Sequence, residues 1–123
     1  MIRFGNTQIT LRVDAGYLRV TCRGEHPLPP YAKLMTTVRD EATKAGLTRI
    51  LVDALAVEPP AHEFDRFWFG SAVAEFFPGR EFKVALLFRP ELINRFGEDT
   101  AVNRGARYLV IDAEGPALEW LME

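Results

Sequence analysis

The chain has 123 residues, of which 48% are hydrophobic and 26% charged. This length and balance are those of a globular unit with its own core, and they exclude an intrinsically disordered chain. Fifteen Lys and Arg against seventeen Asp and Glu give a net charge of −2 without a long run of either sign, so the sequence lacks the electrostatic signature of nucleic-acid binding. We therefore expect one domain over residues 1–123 and no nucleic-acid partner.

The sequence also predicts the compartment. Cys22 is the only cysteine, so the chain cannot form an internal disulfide. The first residues lack the long apolar stretch of a signal peptide, and no window approaches the roughly 20 apolar residues that a membrane-spanning helix requires. We therefore expect a soluble, cytoplasmic protein without a transmembrane segment.

The clearest local signal is a pair of alternating segments near the start of the chain. In Gln8–Asp14 apolar side chains occupy every second position, and Tyr17–Arg23 repeats the pattern. A period of two is typical of a half-buried strand. The short connection leaves Gly16 free to take a positive φ, so the two segments predict an antiparallel hairpin.

Helix and strand signals then alternate to the end of the chain. A helix is predicted from near Pro30 to Gly46, because apolar residues recur there at three- and four-residue spacings. The later predicted elements are a buried strand Ile50–Val52 that ends at Asp53, a helix Ala61–Phe77, a strand Phe82–Phe88, a helical stretch Pro90–Gly105 broken at Gly97, a strand Tyr108–Ile111 and a helix Pro116–Met122.

The order of these elements is β-β-α-β-α-β-α-β-α. Strands separated by a helix are expected to be parallel neighbours, whereas the N-terminal hairpin is antiparallel. The sequence therefore predicts an α/β fold with a mixed sheet of about five strands.

This layout resembles the SpoIIAA-like branch of the STAS family, the sulfate transporter and anti-sigma factor antagonist domains. The segments that carry the resemblance are Ile9–Val13, Tyr17–Thr21, the strand Ile50–Asp53 with its acidic end, the Arg104-Gly105 step before a short strand, and the closing Ala117–Leu121. The resemblance covers almost the whole chain. It implies a SpoIIAA-like sheet and a regulatory role through contact with other proteins.

One departure from the family pattern limits what the resemblance implies. Anti-sigma factor antagonists carry a phosphorylatable Ser or Thr at the start of the helix that follows the Asp-ending strand. No hydroxyl residue stands between Asp53 and His62 in this chain. The phosphorylation switch of the family is therefore not carried over.

The connection between Asp53 and His62 is the first candidate site, because ligands of open α/β sheets bind beyond the carboxyl ends of the strands. Its candidate residues are Asp53, Glu58 and His62. His62 and Asp65 share one helical face and suit a divalent metal, with Asp53 or Glu58 completing the set. The alternative is structural, since acidic residues cap backbone amides and complement helix N-termini.

The predicted helix Ala61–Phe77, which we call the aromatic helix, is the second candidate site. Its apolar side chains extend well around the helix, and the candidates are Phe64, Phe67, Trp68, Phe69, Val73 and Phe77. A helix with so wide an apolar surface is covered on more than one side. The cover is either a segment of the same chain, such as residues 90–96, or a homodimer contact, or an apolar ligand.

Two further groups are assigned structural roles. Cys22 and His26 lie four residues apart, but no Asn or Asp completes a catalytic set, so a structural cysteine is favoured. Arg104 stands in a Gly- and Arg-containing stretch without a nucleotide motif. We assign it to the terminal carbonyls of its own helix or to Asp112.

The sequence therefore predicts no catalytic residues, no cofactor and no enzyme activity. The first hypothesis is a non-enzymatic STAS-like regulatory or scaffold domain that acts by protein–protein contact, as a homodimer through the aromatic helix. The alternative is a carrier or sensor for a small, lipid-like apolar ligand. A metal-dependent hydrolase that uses Asp53 and His62 is the third and weakest hypothesis.

Overall fold

The structure is a computed structural model that describes residues 2–60, 64–93 and 95–123, without the side chains of residues 64, 96 and 97. The strands are β1 (Ile2–Phe4), β2 (Thr7–Val13), β3 (Leu18–Gly24), β4 (Arg49–Val57), β5 (Lys83–Leu87) and β6 (Tyr108–Ile111). The helices are α1 (Ala32–Lys44), α2 (Phe64–Phe76), α3 (Phe96–Asn103) and α4 (Glu114–Met122), with a 3-10 turn at Pro90–Leu92. Among the described residues, no helix is long and apolar enough to cross a membrane.

The six strands form one sheet in the order β1-β2-β3-β4-β5-β6. The first three strands are antiparallel, and the pairs from β3 to β6 are parallel. The predicted α/β class and mixed sheet are confirmed. The additional strand is β1, a three-residue segment that pairs Ile2 with Ile9 and is too short to show a periodicity in the sequence.

Two glycines act as the sequence predicts. Gly16 takes a φ of +86° in the turn of the β2–β3 hairpin, which the Asp14 amide closes by donating to the Tyr17 carbonyl over 2.9 Å. Gly46 takes a φ of +71° just past α1, where its amide donates to the Thr43 carbonyl. A side chain with a Cβ strains this left-handed conformation, so glycine ends the helix at low cost.

The helices divide unequally between the two faces of the sheet. Residues of α1, α2 and α3 pack with the sheet into the larger core cluster, which includes Leu34, Val73 and Ala101. On the opposite face α4 packs Ala117 and Leu121 into a smaller cluster with β4 and β5. Since each parallel crossover moves one strand further in the same direction, crossovers of one hand place their helices on one face.

β4 is longer than the sequence predicts, and Asp53 lies inside it rather than at its end. Thr21 pairs with Asp53 and Arg23 pairs with Ala56, so β4 has one more residue than β3 between these two pairs, which is a β-bulge. The Asp53 carboxylate accepts the Leu55 amide hydrogen over 3.2 Å at this bulge. The side chain thus satisfies a donor that the bulge removes from the ladder, and the strand continues to Val57.

The break in the third helical stretch also differs from the prediction. Gly97 lies within the bounds of α3, and the interruption falls just before it, between the 3-10 turn and α3. Arg95 has a φ of 67° at this point. Its side chain donates to the Glu98 carboxylate over 2.8 Å and to the Val110 carbonyl over 3.0 Å. These two bonds, of which the one to Val110 is nonlocal, hold Arg95 in a conformation that is normally favoured only at glycine.

Asp53→Ala is expected to lower the free energy of unfolding by about 1–2 kcal/mol, because it removes the acceptor for the Leu55 amide and the ion pair with Arg19. Asp53→Asn keeps an oxygen acceptor for the amide and is expected to cost less than Asp53→Ala. Chemical denaturation of the two variants measures the difference. Equal losses would assign the effect to the Arg19 ion pair instead of the bulge.

Candidate functional site: an apolar cavity and an aromatic groove

One side of α2 faces the core of this chain. Val73 and Phe77 are only 2% and 3% exposed, and Phe69 is partly buried against the same cluster. The hypothesis of an intermolecular interface is therefore wrong for Val73 and Phe77, because the chain's own sheet covers them. Phe64 begins α2, but its side chain lies outside the description, as does the whole of His62.

Under this side of α2 lies an apolar cavity of about 110 Å³. Strand residues such as Val20, Ile50 and Val84 form its floor, and α1 and α2 form its roof with Leu34 and Val73. The ionisable side chains in its described wall are Cys22, His26, Arg66, Arg95, Glu98 and Tyr108, and the other wall residues are apolar. These strand residues carry no sequence signal of a site, since a void depends on how side chains distant in sequence pack.

The size of the cavity has an energetic consequence. Protein interiors are close-packed, and voids larger than a water molecule are few. An unfilled volume of 110 Å³ corresponds to about 2.6 kcal/mol of lost stability at roughly 24 cal/mol per Å³. This is a large share of the 5–15 kcal/mol that typically separates folded from unfolded domains.

His26 and Phe69 line one end of the cavity, and the ring of Tyr31 packs against both of them from the groove side. The ring centroids of His26 and Phe69 lie 5.8 Å apart, those of Tyr31 and Phe69 lie 5.2 Å apart, and all are arranged edge to face. The Tyr31 hydroxyl donates to the Asp65 carbonyl over 3.3 Å and so ties the start of α1 to the first turn of α2. This geometry fixes the two helices relative to each other at the cavity end.

His26 is uncharged under ordinary conditions. Burial lowers its pKa, against smaller opposing effects of the Pro27 carbonyl and Asp65, while Arg66 lowers it further. Its Nδ1 lies 2.9 Å from the Pro27 carbonyl oxygen. Because a carbonyl only accepts, Nδ1 carries the hydrogen, and Nε2 is left as an acceptor in the neutral ring. The imidazole therefore adds no positive charge to the cavity wall.

At the α3 side, the cavity wall is closed by Arg95 and Glu98. The Glu98 carboxylate accepts the Val110 amide hydrogen over 2.6 Å and also binds Arg95. Both side chains are therefore engaged with each other and with β6. They attach the first turn of α3 to the sheet.

The opposite side of α2 forms an open groove. Phe67, Trp68, Ala72 and Phe76 line it on the helix, and Pro29, Pro30 and Tyr31 line it on the other side, around a volume of about 970 Å³. Trp68 is 54% exposed. Arg39 lies 5.3 Å from the Phe76 ring centroid and Arg104 lies 5.4 Å from that of Phe67. Arg104 thus makes a cation–π contact with Phe67, where the sequence predicts a bond to helix carbonyls or to Asp112.

The predicted strand-end residues do not form a common site. Asp53 lies on the α4 face of the sheet, where its carboxylate is 3.5 Å from Arg19, which also binds Glu114 of α4. Asp65 belongs to α2 on the other face, so Asp53 cannot share a metal with it, and that part of the metal hypothesis is wrong. Glu58 is exposed after β4, and His62 lies outside the described residues. Within the described part of the chain, no three His, Cys, Asp or Glu side chains are grouped for a metal ion.

Cys22 is unsuited to nucleophilic catalysis. It is buried in β3, and burial followed by the charge of Asp53 raises the pKa of its thiol to about 12. Reactive cysteines have lowered pKa values, since the thiolate is the nucleophile. The favoured structural role of Cys22 agrees with its place in the cavity wall.

Comparisons with known proteins bear on the fold. Neither a protein-family model nor a curated protein matches the chain. A solved anti-sigma factor antagonist from Mycobacterium paratuberculosis is similar, with a TM-score of 0.64, 14% identity and coverage of 95% of each chain. An uncharacterised DUF3478 protein with a SpoIIAA-like fold from Shewanella loihica PV-4 has a TM-score of 0.58 and 19% identity, covering 94% of this chain and 93% of that one.

These similarities extend over nearly the whole described architecture. The chain has a SpoIIAA-like fold, which confirms the fold predicted from the sequence. At this level of identity the similarity concerns the fold, and what the chain does must be argued from its own surfaces.

Alkylation of Cys22 by iodoacetamide is expected to be at least about a thousandfold slower in the folded protein at pH 7.5 than in the protein unfolded by denaturant. The rise of its pKa from 9.0 to about 12 alone reduces the thiolate fraction by about this factor. Mass spectrometry of the time course measures both rates. Similar rates in the two states would contradict the burial of the thiol.

Acidification is expected to destabilise the protein in part through His26. Because the folded pKa lies below the unfolded value of about 6.5, the unfolded chain binds more protons as the pH falls through this window, and the free energy of unfolding decreases. His26→Gln removes this contribution. The variant should lose less stability than the wild type between pH 7.5 and pH 5, as measured by denaturant titration at each pH, and an equal loss would contradict the role of His26.

Proposed function

We propose that the chain is a non-enzymatic STAS-like regulatory or scaffold domain of the cytoplasm, which acts by protein–protein contact over residues 1–123 as one domain. The groove on the outer side of α2 is the contact surface. The observation that carries the proposal is Trp68, a large side chain left 54% exposed between Phe67 and Ala72 on a groove-lining helix.

The composition of the groove supports this role. Tryptophan, phenylalanine and arginine are enriched at the centres of protein interfaces, where they contribute most of the binding energy. Phe67 and Phe76 offer aromatic surface, and Arg104 and Arg39 lie over their rings. The two arginines are thus held in place at the groove before any partner binds, which reduces the ordering cost of association.

A second copy of the chain is the partner we propose. A two-fold interface requires that one surface be complementary to itself. The groove wall includes Arg104 and Glu75, which have opposite charges. A two-fold axis that passes midway between these two residues would bring Arg104 of one copy toward Glu75 of the other.

The segment between the Asp53 strand and the following helix offers no residue for regulation by phosphorylation. The segment from Asp53 to His62 contains neither Ser nor Thr. The same segment supplies no hydroxyl or thiol nucleophile, and Cys22 has a raised pKa. Both observations support a role that depends on contact rather than on covalent chemistry.

The substitution Trp68→Lys tests the groove. The wild type is expected to dimerise with increasing concentration in sedimentation velocity experiments, and Trp68→Lys should weaken the dimer at least about tenfold, as expected for an interface hot spot. Val13→Lys is the control, because Val13 is 60% exposed on β2, away from the groove. It should leave the dimer unchanged.

Two results would contradict the proposal. A wild-type protein that stays monomeric up to millimolar concentration would eliminate the second copy as partner. A dimer that withstands Trp68→Lys but dissociates with Val13→Lys would place the interface on the exposed hairpin. Circular dichroism spectra of both variants verify that the fold is retained.

A further inference from the structure

We propose that the cavity between α2 and the sheet is a binding site for one small, uncharged, apolar molecule, with the size of a single hydrocarbon ring or a short alkyl chain. The proposal goes beyond the role in protein contact and does not depend on it. The cavity and the groove lie on opposite sides of α2, with Phe69 and Val73 in the wall of the first and Trp68 and Ala72 in the wall of the second.

The chemistry of the wall selects an uncharged ligand. Val20, Leu34, Ile50 and Val84 present only hydrocarbon to the cavity. A charged group placed against these residues would lose its hydration without gaining hydrogen bonds or an ion pair from them. Arg95 and Glu98 already satisfy each other at the α3 side, so they do not require a charged ligand either.

The volume limits the size of the ligand. A dry cavity of about 150 Å³ with a comparable hydrocarbon wall binds benzene or xenon, whereas sites for drug-sized molecules occupy about 300–1,000 Å³. The present cavity of about 110 Å³ falls just below the first value. A long fatty acyl chain does not fit this volume, so the lipid-like ligand considered from the sequence is replaced by a smaller one.

Loop residues provide a route into the cavity. His26 and Pro27 precede α1, Pro60 precedes α2, and all three contribute to the wall outside the regular elements. Loops open locally at lower free energy than the strands of a central sheet. The edge-to-face contact of His26 with Phe69 lies at this end, so displacement of the His26 loop exposes the interior without breaking the sheet.

Benzene is the probe for this proposal, observed by methyl NMR of the full chain. Saturable shifts are expected for methyl groups in the cavity wall, such as those of Val20, Val73 and Val84, and not for Leu121 in the α4 cluster. Val84→Ile adds a methylene group to the wall and should weaken benzene binding at least about tenfold. Leu118→Met, a volume-conserving change on the α4 side, should leave it unchanged.

A second pair of variants separates the cavity from the groove. Trp68→Lys alters only the groove, so it should bind benzene with wild-type affinity when both proteins are compared at concentrations at which they are monomeric. Val20→Ile repeats the filling test from another strand, in case Val84→Ile does not fold. Absence of saturable shifts up to the solubility limit of benzene, equal shifts in both core clusters, or loss of binding with Trp68→Lys would each overturn the proposal.

Discussion

The architecture depends on one constraint: the strands stand in the sheet in the same order as in the chain. Every parallel connection after β3 therefore steps in the same direction, and connections of the usual right hand return on one face. α1, α2 and α3 accordingly share the larger core, and the other face is left to α4. The Arg19 side chain then anchors α4 by binding Glu114 at its first turn. The place of α1, α2 and α3 on one face follows from strand order together with the usual handedness of the crossovers.

The three crossovers also set the position of α2. Residues of α1, α2 and α3 pack with the sheet into one core cluster, and α2 contacts both of the other helices. Six strands about 4.8 Å apart span roughly 24 Å between the axes of the outer strands, and three helices about 10 Å apart span roughly 20 Å between the axes of the outer helices. The three helices therefore fit side by side on one face of the sheet. One side of α2 borders the cavity, and the other side carries the exposed Trp68.

The elements that the sequence predicts correctly depend on local patterns. Those that it places wrongly depend on contacts between residues far apart in the chain. Alternation from Gln8 onward predicted the hairpin, and Gly46 predicted the end of α1. The extension of β4 past Asp53 depends on a bulge against β3, and the position of the break before α3 depends on bonds from Arg95 to β6. For α2, aromatic residues all around the helix remove the periodicity that would separate Val73 from Trp68. The cavity has no sequence signal, because it results from how three helices meet the sheet.

The two candidate surfaces share α2 as a common wall, which sets a limit on how strongly they can influence each other. Tyr31 borders the groove and contacts Phe69 and His26 of the cavity wall, so a shift of α2 would change both. A ligand shifts such an equilibrium only by its difference in affinity for the two positions of the helix, and the effect is reciprocal. If the ligand acts only by filling the cavity, the coupling free energy between the two surfaces cannot exceed the cost of the unfilled cavity, about 2.6 kcal/mol. This free energy corresponds to a change of roughly seventyfold in the affinity of the groove for its partner. Coupling of this size would turn a marginal contact into a stable one, whereas a tight contact would still form with the cavity empty.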